Sequence, residues 1–320
     1  MARPCRLWTG FPRAIANGQS YHRAGGGSSF FEPFAAVPAK LTVRRIAVAL
    51  VLALAACAGS PHDRAQNSQA RRIVTLMPSF AEDLCAMGNA PLIVGVSEYG
   101  NTAACAPHAP AVANFSSVDV EKIISLHPDL VVAIPAQRRL TAPLERAGIR
   151  TVYLSDDSYD DLFRNITTIG NLTGSRQSAD RLNDRLRART SELRASEHFT
   201  KQPSVFVVLQ AQPVWTVGPQ SYISTLLRLA GARNAVTHLP RAYAQYSAEA
   251  LLKLQPDAII AGSDTQLQTL LDREPWRSLR AVQRKHVYIL QDPGVLERPG
   301  PNYNEGLSWL IEHLPTTLSP

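Results

Sequence analysis

The feature that most constrains the fold is a regular alternation of short β-branched segments with segments of helical periodicity. The strand-like segments are, in order, residues 73–76, 92–96, 130–134, 151–154, 205–209, 258–261 and 287–290. The helical patterns that separate them cover residues 79–87, 120–126, 138–147, 222–230, 248–254, 265–271 and 304–313. Strands that alternate with helices form parallel sheets from βαβ units, so the sequence predicts an α/β protein.

A gapless internal repeat divides this pattern into two halves. The segment VDVEKIISLHPDLVVA at residues 118–133 aligns with YSAEALLKLQPDAIIA at residues 246–261, at an offset of 128 residues. In each copy a short helix begins beside a glutamate, stops before a proline and leads into a buried strand. The sequence therefore predicts two Rossmann-like lobes with mostly parallel sheets, over residues 72–157 and residues 201–320.

The segment between the lobes, residues 158–200, contains no strand pattern and is predicted to be helical. Small or apolar side chains recur at every third or fourth position of its second half, at Ala179, Leu182, Leu186, Thr190 and Leu193. This spacing predicts one face of a helix over residues 175–197, which would extend roughly 34 Å at about 1.5 Å per residue. A single long helix that spans both lobes favours a stiff connection with little closure of one lobe on the other.

A short apolar segment near the amino terminus is typical of an export signal. An arginine pair precedes eleven uninterrupted apolar residues, 46–56, whereas a membrane-spanning helix needs roughly 20. The segment ends in the sequence LAAC, which resembles the lipobox of bacterial lipoproteins and makes Cys57 the predicted lipidation site. Residues 1–56 are thus predicted to be leader and signal peptide, and residues 57–71 a flexible tether. We expect an exported protein, lipid-anchored to the membrane in the periplasm or cell envelope.

The leader is long and holds most of the positive charge. Forty-odd residues precede the arginine pair, so a start near Val43 is an alternative, and the sequence leaves open whether residues 1–42 are translated. The net charge of +7 falls to +1 for residues 57–320, because residues 1–56 carry seven basic residues and one acidic residue. The predicted mature chain therefore lacks the basic surface expected of a nucleic-acid-binding protein.

Two cysteines, Cys85 and Cys105, lie in the predicted folded body. An oxidising compartment would allow them to pair as a disulfide. Cys85 also lies on the apolar face of a predicted helix, where a cysteine can act as a small buried hydrophobe. The sequence leaves both interpretations open.

Four features together resemble a known family: the lipobox, the repeat, the segment RIVTLMPS at residues 72–79 and the segment ERPGPNYNEGLSWL at residues 297–310. They are similar to the substrate-binding proteins of ABC importers for cobalamin, haem and ferric siderophores. The resemblance covers about residues 72–315 and is closest to the cobalamin-binding members. It implies a ligand cleft between the lobes and a permease dimer with its ATPase subunits as partner. It implies no cofactor besides the transported ligand, and we expect no resident metal and no nucleic acid.

The resemblance also implies a cleft lined by aromatic side chains, since a flat, largely apolar macrocycle binds to such faces. Positions that match the ligand-contacting aromatics of the family are Tyr99, Phe115, Trp215 and Tyr243. Ordinary core packing is the alternative role for these four residues. Asp292 and Arg298 match an Asp-aromatic-aromatic-Glu-Arg motif only in part, because the aromatics are missing. Arg298 would pair with a propionate, amide or phosphate of the ligand, or be a solvated surface arginine.

Glu121 and Glu249 occupy equivalent positions of the internal repeat. In the family, glutamates that match these positions pair with permease arginines at the membrane face. A permease dimer would place one subunit against each lobe, which would explain an acid in both copies. Stabilisation of the helix dipole is the alternative role.

Motifs of the common hydrolases and phosphate-binding enzymes are missing from the sequence, which contains no G-x-S-x-G, H-E-x-x-H or G-x-x-x-x-G-K-[ST]. We therefore expect a binding protein without enzymatic activity. Its expected ligand is a corrinoid, with haem or a ferric siderophore as alternatives. In the haem alternative, Tyr99 or a nearby histidine would ligate the iron.

Overall fold

Two parallel sheets, one in each half of the chain, organise the structure. The computed structural model describes residues 69–98, 105–114, 116–195 and 202–314. Strands and helices alternate through these ranges, so the α/β class predicted from the sequence is confirmed. None of the helices in these ranges is long and apolar enough to cross a membrane.

The first half forms a five-stranded parallel sheet. Its strands are β1 (Ile73–Thr75), β2 (Ile93–Ser97), β3 (Ala111–Ala113), β4 (Leu130–Ala133) and β5 (Thr151–Tyr153). Their order in the sheet is β3-β2-β1-β4-β5. The intervening helices are α1 (Pro78–Ala86), α2 (Val120–Ser125) and α3 (Arg138–Arg146). The central strands β1 and β4 are buried at every residue, as expected for a parallel sheet covered by helices.

Two helices, α4 (Tyr159–Thr173) and α5 (Arg176–Ala195), connect the halves. The buried residues of α5 are Ala179, Leu182, Leu186, Thr190 and Leu193, which form the stripe predicted from the sequence. Helix α4 lies in the first part of the interlobe segment, for which no helix bounds were predicted. It begins at a capping box, in which the Ser158 hydroxyl accepts from the Asp161 N–H and the Asp161 carboxylate accepts from the Ser158 N–H.

The second half contains a parallel sheet and a smaller antiparallel sheet. The strands are β6 (Ser204–Val208), β7 (Gln210–Ala211), β8 (Val214–Val217), β9 (Arg233–Asn234), β10 (Tyr243–Gln245), β11 (Ala258–Gly262) and β12 (Val287–Leu290). The parallel sheet has the order β12-β11-β6-β9, and the antiparallel sheet has the order β10-β8-β7. The helices are α6 (Tyr222–Leu229), α7 (Ala248–Leu254), α8 (Arg280–Gln283), α9 (Gly294–Glu297) and α10 (Tyr303–His313).

The internal repeat is a repeat of structure as well as of sequence. After α2 and α7 the chain passes through left-handed backbone at equivalent residues, His127 (φ 47°) and Gln255 (φ 46°). The aspartates that follow also have equivalent roles. The Asp129 carboxylate accepts hydrogen bonds from the N–H groups of Arg71 and Arg72, and the Asp257 carboxylate accepts from Ser204. In each lobe the shared Pro-Asp sequence therefore fixes the start of one central strand beside its neighbour.

The predicted helix over residues 265–271 was wrong. The chain there forms two short 3-10 helices, Ser263–Thr265 and Leu267–Leu270, separated by Gln266 with φ 55°. The hydroxyls of Thr265 and Thr269 donate to nearby carbonyl groups at 2.7 and 2.9 Å. Such local side-chain bonds stabilise turns at the expense of a continuous helix.

A disulfide joins Cys85 of α1 to Cys105, with the Cα atoms 6.1 Å apart. It ties the helix that follows β1 to the chain that leads into β3. The bond therefore holds the segment before the edge strand β3 against the helix that follows the central strand β1.

Removal of this disulfide is expected to lower the free energy of unfolding. Its cysteines are 20 residues apart in the sequence, and closing a loop of this size contributes about 3 kcal/mol in the chain-entropy account. We expect Cys85→Ala with Cys105→Ala to lower the midpoint of urea unfolding while the far-ultraviolet circular dichroism stays native. Dithiothreitol should lower the midpoint of the unmodified protein and leave that of the variant unchanged. Equal midpoints for the two proteins would contradict this role.

Candidate functional site

Two of the four predicted ligand aromatics meet on one face of the antiparallel sheet. In the pairing of β8 with β10, Trp215 lies opposite Gln245, and Tyr243 lies opposite Val217. Residues opposite each other in an antiparallel pair share a face, so Trp215 and Tyr243 are diagonal neighbours on the same face. Trp215 is 38% exposed, whereas Tyr243 is half-buried against the core. The exposed Trp215 ring is therefore not an ordinary core aromatic.

The other two predicted aromatics, Tyr99 and Phe115, lie outside the described residues. The strands that precede them, β2 and β3, are parallel neighbours, with Ser97 paired with Ala113. A place for Tyr99 and Phe115 in the ligand site stays a prediction.

Carboxyl groups from both lobes surround Tyr243. Asp156 and Asp157 follow β5 in the first lobe, and Glu297 ends α9 in the second lobe. Desolvation by burial is the largest cause that raises the pKa of the Tyr243 hydroxyl, and the negative charges of these three carboxyls raise it further. The two lobes therefore face each other at Tyr243 across a cleft.

Burial brings the pKa of two of these carboxyls close to neutrality. Desolvation is the largest cause for Asp156, whose pKa rises to about 7, and the charge of Asp157 adds to the rise. The pKa of Glu297 also rises to about 7, from desolvation and then from the charge of Asp264. A carboxyl that exchanges its proton near pH 7 can donate a hydrogen bond in one form and only accept in the other.

Arg298 links the two lobes at the side of this cleft. Its Nε lies 3.2 Å from Oε1 of Glu82 in α1, and its Nη2 lies 3.5 Å from Oδ2 of Asp292. The Arg298 side chain is 24% exposed and packs over Gly294, where a Cβ atom would collide with the guanidinium. Burial raises the pKa of Glu82, although the charge of Arg298 opposes this effect. Arg298 is thus an interlobe ion-pair residue and not a solvated surface arginine.

A cavity of about 440 Å³ lies beside Arg298, between the lobes. One wall is formed by Glu82 of α1 and by the disulfide, and the opposite wall by the segment from Asp292 to Glu305. The two predicted polar residues, Asp292 and Arg298, both line this cavity. Both residues therefore lie at a surface between the lobes. There Arg298 pairs with Glu82 and with Asp292.

Metal ligation finds no support in the part of the chain that the structure describes, where no group of three or more potential ligands could hold an ion. Two of the described histidines lie at the amino-terminal edges of the sheets, His127 three residues before Leu130 of β4 and His286 directly before β12. Asp156 and Glu297 follow strands, at the opposite edges. These two histidines are therefore remote from the cleft.

The paired glutamates both lie in the first turn of a short helix. Glu121 is the second residue of α2, and Glu249 is the second residue of α7. Both side chains are exposed, and Glu249 Oε1 lies 2.6 Å from the exposed Nζ of Lys253. Glu121 has no ion-pair partner within the described ranges. A salt bridge between such exposed groups contributes little to stability, and an exposed side chain adds little to packing. Neither effect explains why both copies of the repeat carry a glutamate.

The sequence analysis missed three carboxyls of this region, Asp156, Asp157 and Glu82. The pair Asp156-Asp157 was detectable, because it follows a predicted strand of a parallel sheet, where ligand crevices open. Glu82 gave no such indication. A glutamate inside a helix becomes part of the cleft only when the second lobe packs Arg298 against it.

Comparison with known proteins agrees with this architecture. Residues 73–293 match a family model described as periplasmic binding protein. The uncharacterized ABC transporter substrate-binding lipoprotein YvrC of Bacillus subtilis is 29% identical over 267 residues, which cover 80% of this chain and 83% of that protein. A vitamin B12-binding protein of Vibrio cholerae is 29% identical over 276 residues, which cover 83% of this chain and 98% of that protein.

Solved structures show the same fold. The periplasmic vitamin B12 binding protein BtuF of Vibrio cholerae superposes with a TM-score of 0.65 at 26% identity, covering 76% of this chain and 96% of that chain. The periplasmic heme-binding protein RhuT of Roseiflexus superposes with a TM-score of 0.68 at 22% identity, covering 76% of this chain and 97% of that chain. The family match spans more than half of the sequence. The chain therefore belongs to the periplasmic binding protein family, the substrate-binding components of ABC importers.

Proposed function

We propose that this protein captures a corrinoid of the cobalamin type in the cleft between its lobes and delivers it to the permease dimer of an ABC importer with its ATPase subunits. The observation that carries the proposal is the exposed Trp215 ring beside the half-buried Tyr243 ring, with carboxyl groups of both lobes around them. Relatives named as vitamin B12-binding proteins support the same ligand class.

The two rings provide a flat apolar surface for a macrocycle. Each aromatic side chain can bury about 150–250 Å². The antiparallel pairing of β8 with β10 fixes the backbone under Trp215 and Tyr243, so little conformational entropy is lost when the ligand binds. We propose that Tyr99 and Phe115 provide matching rings from the first lobe.

The charge of the cleft favours a corrinoid over haem. Haem carries two propionates, which the carboxyls of Asp156, Asp157 and Glu297 would repel when ionised. The edge of a corrin ring carries uncharged carboxamides, which can donate hydrogen bonds to the same carboxyls. Arg298 is not free to compensate a propionate, because Glu82 and Asp292 already pair with it. We propose that Asp292 and Arg298 instead make polar contacts with the uncharged edge of the corrin ring.

A haem- or ferric-siderophore-binding component is the alternative. In the haem alternative, Tyr99 or a nearby histidine would ligate the iron. Tyr243 does not suit this role, because ligation of ferric iron requires the phenolate, and burial together with the surrounding carboxyls raises the pKa of its hydroxyl. Phenolate formation is therefore disfavoured. A ferric hydroxamate carries no carboxylate, so its charge is compatible with the cleft. Titration of the protein with cyanocobalamin, haemin and ferrioxamine B in parallel separates the three ligand classes.

We propose that Glu121 and Glu249 dock the protein onto the permease. Four of the five residue types shared by the repeat have structural roles, because the leucine and the final alanine pack with the apolar residues of each lobe and the Pro-Asp pair fixes a strand. The glutamate is exposed in both copies and has no such role. Carboxylate–guanidinium pairs are often bidentate and would orient the protein over the pore.

We further propose that Cys57 carries the lipid anchor and that the mature protein is exported to the periplasm or cell envelope. The apolar segment and the LAAC sequence support this proposal. A lipid anchor would hold the binding protein near the membrane that contains the permease and so raise its effective concentration there.

Substitution of the exposed tryptophan tests the ring surface. Trp215→Ala should raise the Kd for cyanocobalamin about thirtyfold, because loss of a central aromatic anchor costs about 2 kcal/mol. The Kd is measured by isothermal titration calorimetry, and circular dichroism checks the fold. Trp309→Ala is the matched control, since Trp309 stacks on His313 of α10 and should leave the Kd unchanged. A natively folded Trp215→Ala variant with an unaltered Kd would contradict the assignment.

The raised pKa of Asp156 predicts a pH-dependent stability. The pKa is about 7 in the folded protein and 3.8 for the free side chain, so the contribution of this carboxyl is fully present below about pH 4 and is lost as the pH rises through about 7. Asp156→Asn removes the ionisation. We expect its melting temperature to equal that of the unmodified protein near pH 4 and to exceed it near pH 8. The exposed Asp272→Asn is the control, and parallel curves for Asp156→Asn and the unmodified protein would refute the prediction.

The docking proposal predicts a separation of binding from transport. Glu121→Ala combined with Glu249→Ala should leave the Kd for cyanocobalamin and the melting temperature unchanged, because both side chains are exposed and neither is among the charges that act on Tyr243. Uptake of radiolabelled cyanocobalamin, by cells in which this is the sole binding component, should be lost or severely reduced. Glu192→Ala on α5 is the control with unchanged uptake. Wild-type uptake by the double variant would show that the glutamates are helix-capping residues.

A further inference from the structure

The parallel sheet of the second lobe has a crossover point between β6 and β11. The sheet order is β12-β11-β6-β9, so the chain leaves β6 towards β9 on one side and leaves β11 towards β12 on the other. The segments that follow these two strands diverge, and a crevice opens outside their carboxyl ends. Ligands of open α/β sheets bind in crevices of this kind.

A polar pocket of about 290 Å³ occupies this crevice. Gln210 and Gln212 line it from the segment after β6, and Asp264, Gln266 and Thr269 line it from the segment after β11. The Asp264 carboxylate and the Gln212 and Gln266 carboxamides form no hydrogen bond with any residue in the described ranges. Their hydrogen-bonding groups are therefore available to a ligand.

The equivalent crevice of the first lobe, between β1 and β4, is closed. Gln137 is 3% exposed there. Its Nε2 donates to the Leu76 carbonyl at 3.3 Å, and its Oε1 accepts from the Ile134 N–H at 3.2 Å. The repeat offset of 128 residues places Thr265 at the position of Gln137. The shorter Thr265 side chain donates to the Gly262 carbonyl at 2.7 Å and leaves the crevice of the second lobe open.

The pocket adjoins the aromatic surface. Gln210 lies opposite Trp215 in the pairing of β7 with β8, so the two side chains share a face. On its other side, Asp264 lies close enough to Glu297 for its charge to act on that carboxyl. Glu297 in turn neighbours Tyr243. A ligand stacked on the two rings would therefore reach the pocket with a side arm.

We infer that this pocket is a second subsite of the cleft and binds an uncharged hydrogen-bonding arm of the ligand, a primary carboxamide or a hydroxyl group. The inference rests on the proposed corrinoid function and specifies which part of the ligand enters the second lobe. Carboxamide and hydroxyl groups of the wall both donate and accept, which matches a carboxamide arm. The Asp264 carboxylate only accepts when ionised and would repel an anionic arm.

The subsite is tested by closing the pocket with the side chain that closes its counterpart. Thr265→Gln should raise the Kd for cyanocobalamin at least about tenfold, since lost hydrogen bonds to a buried arm of this kind cost more than about 1.4 kcal/mol. Its melting temperature should stay at the unmodified value, because the same residue type fits the first lobe. Gln268→Ala, at an exposed position outside the pocket, is the control with an unchanged Kd.

Ligand charge provides the second measurement. Unmodified protein should bind cyanocobalamin more tightly than its monocarboxylic acid derivatives, in which one ring amide is hydrolysed. Asp264→Asn should reduce this difference for at least one derivative. A folded Thr265→Gln variant with the Kd of the unmodified protein overturns the subsite alone. No cyanocobalamin binding by the unmodified protein overturns the corrinoid proposal instead, so the two failures are distinguishable.

Discussion

The structure depends on one apolar core that both lobes share around Tyr303. Tyr303 of α10 is fully buried, and its hydroxyl donates to the Leu186 carbonyl of α5 at 3.1 Å. Its ring packs edge-to-face against Tyr159 and Phe163 of α4, with centroids 5.5 and 6.1 Å apart. Because three helices meet at this residue, separation of the lobes would expose apolar surface and break buried hydrogen bonds. The lobes are therefore held at a defined distance, and the cleft exists before any ligand binds.

Because the cleft is preformed, several carboxyls stay buried in it although burial disfavours their ionised form. Asp156 and Glu297 are each held near Tyr243 by elements that the shared core fixes, so they cannot move away to regain water. Their raised pKa values are the consequence. Hydrogen-bond donors of a neutral ligand would relieve this unfavourable state, whereas an anionic ligand would aggravate it. The same fixed framework also makes the crevices of the two lobes unequal, because Gln137 closes one and Thr265 leaves the other open.

The backbone pattern was predictable wherever an element has a strong local period. The long helix α5 follows from small or apolar residues at every third or fourth position. The central strands β1, β4, β6 and β11 follow from short continuous runs of apolar or β-branched residues, which are buried at every position. The short strands β3, β7, β8, β9 and β10 were missed, since two to four residues display too little of a period. The bounds of helix α4 were not identified, because polar residues that bond to its own carbonyls interrupt its apolar face.

The sequence by itself determined the family, the two-lobed α/β class and the presence of aromatics at Trp215 and Tyr243, since motifs and periodicity are local properties of the chain. Only the tertiary structure decided which charges face those rings. Asp156 lies 87 residues before Tyr243, and Glu82 lies 216 residues before Arg298, so no local pattern relates them. Electrostatic interaction depends on distance in space and on burial, and both are set when the lobes pack against each other.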